Sequence, residues 1–289
     1  MGDTSLPVVV GIDGTDASNR ALRYAVAEAR RRGVGLIIAH AISETQPIAT
    51  PVALYNVDAF TEVSRRLVDD AERTVHDLEP ELRVETVVKA GSRAGVLAAV
   101  GEQASLIVVG HRHRSLASRI MTHSTATGVA ARAHCAVTIV PETWAAPERE
   151  GHLVVGVDEA AAEHDALEVA FDEAGRRRAR LVVLHAWRLP TAYDETVVSQ
   201  VAVEDWQADA AGQMREALAP LLAAHPDVEV EFDVRHEHPA YALAKASKDA
   251  DAVVVGRHAH RGPAGTGLGA TVRTLIRESL CPVVVAPRR

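Results

Sequence analysis

Short apolar runs alternate with longer stretches of helical period along the whole chain. In the first half the runs predict strands at Pro7–Ile12, Gly35–His40, Arg83–Val88, Leu106–Val109 and Ala136–Val140. Between them, apolar residues spaced three or four apart predict helices near Ala17–Arg32, Asp58–Leu78, Arg93–Gln103 and Ser124–Arg132. The first of these sets Ala21, Ala25 and Ala29 down one side and ends on Arg30, Arg31 and Arg32, cations that complement the carbonyl end of a helix. Strand and helix in regular alternation imply a parallel sheet with right-handed crossovers and helices on both faces.

The pattern is written twice. "VVVGIDGTDASNRALRYAVAEARRRGVGLIIAHA" is answered by "LVVGVDEAAAEHDALEVAFDEAGRRRARLVVLHA". Asp13 is matched by Asp158 and His40 by His185, both 145 positions on, and Gly110 by Gly256 and Cys135 by Cys281, both 146 on. An offset this steady means two copies of one domain, 1–147 and 148–289, joined near "PETWAAPEREG". The expected fold is α/β: two tandem doubly wound domains, each with a five-stranded, mainly parallel sheet.

Composition narrows the function classes. Aromatics are only 3% of the 289 residues, so aliphatic side chains must fill the core, as suits strands covered on both faces. The net charge of −8 argues against a general affinity for nucleic acid or an acidic membrane. No apolar stretch approaches the ~20 residues that span a bilayer, and the start of the chain lacks a signal-peptide pattern, so a cytoplasmic protein is expected. Cys135 and Cys281 fit a reducing compartment as small hydrophobes.

In doubly wound sheets ligands bind at the carboxyl ends of the strands, where the strand order reverses. With strand 1 central and strand 4 beside it, Asp13 neighbours the segment after Gly110, and Asp158 the segment after Gly256. The first of these, "GHRHRSLASRIMTH", is rich in histidine and arginine where a phosphate loop is usually rich in glycine.

In "VVVGIDGTDAS", "LIIAHA" and "LVVLHA", "LIVVGHRHR" and "AVVVGRHAH", and the endings "AHCAVTIVP" and "LCPVVVAP", the chain resembles a tandem member of the universal stress protein family, over both halves. The resemblance implies adenine-nucleotide binding: an Asp after strand 1 bonds adenosine (Asp13, Asp158), and the residue after the strand 2 histidine lines the adenine pocket (Ala41, Ala186). It also implies pairing of the two domains through their last strands as an intramolecular pseudo-dimer, with a homodimer of chains as a further expectation. Nucleotide-binding members carry G-x-x-G, nine residues, then G-[S/T]. The first half keeps Gly110 and Ser124 but has His113 and His123 for two glycines; the second keeps Gly256 and Gly269, has Ala259 for a glycine, and has Ala270 for the hydroxyl residue. Thr271, one position on, offers a replacement hydroxyl.

A phosphate seat of backbone N–H groups needs close approach of the main chain, which an imidazole at both key positions obstructs. Arg112, Arg114 and the histidines offer side-chain donors instead. Glu159, next to Asp158, adds a carboxylate near a site meant for an anion. Nucleotide is therefore expected in the second half in preference to the first.

Each signal has a plainer reading. Asp13 suits a turn before a helix, Ser124 a helix cap, and His40 and His185 packing beside the strand ends. His111 with His113, and His258 with His260, read as exposed histidines rather than zinc ligands, since no Cys or carboxylate accompanies them. No Walker lysine, His-Glu-x-x-His or G-x-S-x-G is present, so slow ATP hydrolysis is the most enzymatic activity expected. The leading expectation is an ATP-binding stress-response regulator, with or without magnesium. The alternatives are a nucleotide-free interaction module that keeps the fold, and a weak ATPase.

Overall fold

The computed structural model describes residues 6–42, 57–112, 125–146, 151–158, 164–187, 200–257 and 267–288. The chain divides into two compact units, Met1–Ala146 and Pro147–Arg289. The first runs β1 (Val8–Gly11), α1 (Asp16–Arg32), β2 (Leu36–Ile42), α2 (Val57–Leu78), β3 (Val84–Ala90), α3 (Arg93–Val100), β4 (Leu106–His111), α4 (Thr125–Arg132) and β5 (Ala136–Pro141). Its strands lie in the order β3-β2-β1-β4-β5, every neighbour parallel. The order reverses between β1 and β4, which pair from Val8↔Leu106 to Gly11↔Val109.

The second unit runs β6 (His152–Val157), α5 (His164–Arg177), β7 (Arg180–Ala186), α6 (Gln200–Ala217), α7 (Ala219–Ala224), β8 (Val230–Arg235), α8 (Pro239–Ala246), β9 (Ala252–Gly256), α9 (Ala270–Glu278) and β10 (Val283–Ala286). Its order, β8-β7-β6-β9-β10, is the same with the same switch, now between β6 and β9.

Strands buried on both faces have no use for polar alternation, and the central strands show none, whereas the outer strands β3 (VETVVKA) and β8 (VEFDVR) carry charged, more exposed positions. Val8, Val9 and Val10 are all fully buried, as are Ile107 and Val108. Leu22, Ala25 and Ala29 of α1 close over one face of the first sheet with Leu36 and Ile38, and Tyr24 meets Trp144 edge-on at 5.3 Å. Phe171, Leu167, Leu153 and Leu181 fill the corresponding space in the second.

Two expectations change here. The strand read as Leu106–Val109 continues through Gly110 and His111, which pair with Val140 and Pro141, so these residues end a strand rather than begin a loop. The helix read to Gln103 gives way to a 3-10 turn at Gly101–Gln103. The arginines ending α1 also do more than face the helix dipole. Glu28 is almost fully buried, and Arg31 and Arg32 reach its carboxylate at 2.5 and 3.5 Å. The copy repeats it: buried Glu173 is held by Arg176 at 3.4 Å and Arg177 at 3.1 Å.

The helix ends compare as closely. α1 stops at Gly33, in the left-handed region at φ 66°, with its N–H closing on Arg30. The matching residue after α5 is Arg178, also left-handed at φ 52°, with its N–H closing on Gly175.

Cys281 is buried, and burial pushes its thiol up to about 12 from the ordinary 9.0. That leaves about a thousandth of the usual thiolate at neutral pH. Half-buried Cys135 should therefore be the residue that labels when the folded chain meets a bulky thiol reagent, with Cys281 protected until the second unit unfolds. Peptide mass mapping along a labelling time course checks this; rapid modification of Cys281 in folded protein would refute it.

Candidate functional site

Each unit has a cavity at the carboxyl ends of its strands, over the switch point. The first, of about 250 Å³, is walled by the ends of β1 (Gly11, Ile12, Asp13), β2 (Ala39, His40, Ala41) and β4 (Val109, Gly110, His111), with Arg112 beyond. The first turns of α1 (Ala17, Ser18), α3 (Arg93) and α4 (Thr125, Ala126) complete it. The second, of about 150 Å³, is walled by Gly156, Val157, Asp158, Leu184, Ala186, Val255 and Gly256, with Pro239 and Leu243 of α8, and Gly269, Ala270, Thr271 and Val272 at the start of α9.

The fold thus brings Asp13, Ala41 and Gly110 to one cavity, and Asp158, Ala186, Gly256, Gly269 and Thr271 to the other. Ser124, His113, His123, Glu159 and Ala259 lie outside the described residues.

The turn into α1 is built by Asp13, Gly14 and Thr15. Gly14 takes φ +76°, which suits glycine. Asp13 Oδ1 accepts from the Thr15 N–H at 3.2 Å and from its hydroxyl at 2.6 Å. The Thr15 hydroxyl in turn accepts from the Ser18 N–H at 3.3 Å, capping α1. Asp13 is therefore both a turn residue and a wall of the cavity. In the copy Ala160 stands for Thr15, so Asp158 has no hydroxyl at that place in sequence to engage it.

His40 and His185 are half-buried and bonded alike. Nδ1 of His40 donates to the Ile12 carbonyl at 2.9 Å, and Nδ1 of His185 to the Val157 carbonyl at 3.0 Å. A carbonyl can only accept, so the proton is on Nδ1 and the ring ties the end of one strand to the next. His40 also lines its cavity.

Gly110 has a packing reason of its own. A Cβ there would lie 2.3 Å from the carbonyl oxygen of Ala17 and 2.9 Å from the Ser18 nitrogen, so only glycine lets the end of β4 meet the first turn of α1. In the second unit the N-cap of α9 is Gly269, which has no side chain to cap the first N–H groups of that helix.

Charge divides the two cavities. Arg93 and Arg112 line the first with His40 and His111, whereas Asp158 is the one charged residue among the described ones lining the second. Arg93 lies outside every motif; its signal in the sequence was the contrast with Pro239, 146 positions on. Beside the second cavity, Trp187 stacks on His236 with ring centroids 4.3 Å apart, where the first unit sets Ile42 opposite Ala90. Among the described residues no three His, Cys, Asp or Glu side chains converge as metal ligands, and no helix is long and apolar enough to cross a membrane.

The sequence matches the universal stress protein family over residues 6–141 and again over 151–287. The chain belongs to the universal stress protein family. It is 31% identical to a universal stress protein of Mycobacterium tuberculosis H37Rv, over 99% of this chain and 97% of that protein. To a universal stress protein of Mycolicibacterium smegmatis it is 30% identical, over 99% and 98% of the two chains. Among solved structures, a universal stress protein from Archaeoglobus fulgidus superposes over 98% of both chains with a TM-score of 0.71 at 20% identity, which shares the fold. The chain is thus a tandem member of the universal stress family, one family domain in each half.

Proposed function

We propose that this chain is a cytoplasmic adenine-nucleotide-binding stress regulator, and that its second half is the better seat for ATP. One observation carries the reading: the first turn of α9, whose N-cap is a glycine, opens through Gly269, Ala270 and Thr271 onto the cavity that also holds Asp158 and Ala186. Main-chain N–H groups at the positive end of a helix suit phosphate. In this reading Asp158 bonds the ribose hydroxyls and Ala186 leaves room for the base. Gly256 ends β9 at the same opening and lets the main chain approach. The role is binding and signalling rather than catalysis, with slow ATP hydrolysis at most.

Titration calorimetry with ATP at high salt tests this, because salt spares a seat made of backbone more than one made of exposed charges. Asp158→Ala should weaken binding by about 10- to 100-fold, the loss of a charged hydrogen bond, while Asp13→Ala leaves that site intact. ATP affinity unchanged in Asp158→Ala would sink the assignment. Absence of any ATP binding would leave the nucleotide-free interaction module as the function.

A further inference from the structure

Arg93 is the first residue of α3, at the mouth of the first cavity. Pro239 holds the same place in α8, at the second. Proline suits the first position of a helix, since its fixed φ and missing N–H cost nothing there. Arginine does not: it sets a full positive charge against the positive end of the helix, and α3 has no acidic residue in its first turn to offset it. A charge placed against the local field becomes favourable once an anion sits between.

The rest of the wall agrees. Arg112 lines the same cavity, with the rings of His40 and His111. Asp13 is the one carboxylate among the described lining residues, and one of its oxygens is already engaged by Thr15. The start of α3 adds its own partial positive charge. A concave site with this excess of cation concentrates polyanions, and a guanidinium fork matches phosphate oxygens two at a time.

We propose that the first half holds a phosphate-binding site of a different kind, in which Arg93 and Arg112 grip the phosphate groups of a small phosphorylated ligand with side chains instead of a glycine-lined backbone. Arg93 is its specificity-determining residue. The ligand is defined by its phosphates, so the inference does not depend on ATP binding in the second half.

The test uses the full chain, with and without substitution at Arg93, titrated at low and at high salt with inorganic triphosphate and, separately, with ATP. Triphosphate binding at low salt should include one equivalent that weakens steeply as salt rises and weakens by roughly tenfold or more in Arg93→Gln. Arg93→Lys, which keeps the charge, should retain more of the binding than Arg93→Gln. The melting temperature of ligand-free Arg93→Gln should be unchanged or higher, because a cation has left the start of α3; this separates lost binding from lost folding. ATP binding more tightly than triphosphate, with both weakened in Arg93→Gln, would support the site and add an adenosine contact to it. Triphosphate binding that is absent, indifferent to salt, or unchanged in Arg93→Gln would overturn it. Failure of the second-half reading looks different: it appears in the response of ATP affinity to Asp158→Ala at high salt.

Discussion

Replacing Gly110 by alanine should destabilise the first unit by about 3 kcal/mol, the upper range for forcing one methyl group into a packed interior. The new Cβ would lie 2.3 and 2.5 Å from the carbonyl oxygen and carbon of Ala17. Both are main-chain atoms in the first turn of a 17-residue helix, so no side chain can swing away. Either α1 lifts from β4 or β4 bends, and each course breaks burial that runs along Ala17, Ala21 and Ala25. Gly11 makes the useful contrast. A Cβ there would meet the far end of Leu97 at 2.7 Å, a flexible group, so Gly11→Ala should cost less. Urea unfolding followed by amide exchange in β1 and β4 measures both. A Gly110→Ala protein as stable as wild type would mean that the close approach of α1 and β4 is not obligatory.

Removing either buried carboxylate should cost more, about 3–5 kcal/mol, because the arginine charge left behind is itself poorly exposed. Arg32 and Arg177 have side chains only 9% and 8% exposed beside Glu28 and Glu173. Glu28→Ala should therefore weaken the first unit and Glu173→Ala the second, each seen as loss of one stage of unfolding at lower denaturant. The pair itself is not the source of stability: two apolar residues of similar volume can replace a buried ion pair at little cost. Glu173→Met with Arg177→Met should accordingly recover most of what Glu173→Ala loses. If the single substitution is harmless, water reaches these arginines and the burial argument fails.

Much of the fold could be read from the sequence because its causes are repeated. Valine runs such as Val8–Val10 and Val253–Val255 leave little but a covered parallel strand, and the 145- to 146-residue offset let each half check the other. The positions of Asp13, Asp158, Gly110 and Gly256 followed, since the switch point fixes which strand ends meet. Less legible were features whose cause is three-dimensional. β4 runs past its apolar stretch because backbone pairing, not hydrophobicity, decides where a strand ends. The arginines after Glu28 stand at the ion-pair spacing of a helix, but nothing in one dimension says that Glu28 is buried. Gly110 sits where a phosphate-loop glycine would, which concealed its contact with Ala17. Arg93 belongs to no motif and emerges only when α3 and α8 are laid side by side.

Arg178 shows what holds a bend in place when the residue at it does not favour it. A left-handed turn ends α1 and α5 alike, yet glycine stands only at the first; the second makes the same bend with an arginine, a residue that rarely adopts it. The instruction to turn there is consequently held by the surroundings, by Ala179 closing on Ala174 and by Leu181 entering the sheet, more than by the residue that turns. The two halves thus separate what a residue prefers from what its surroundings impose: the same bend forms with glycine at Gly33 and with arginine at Arg178.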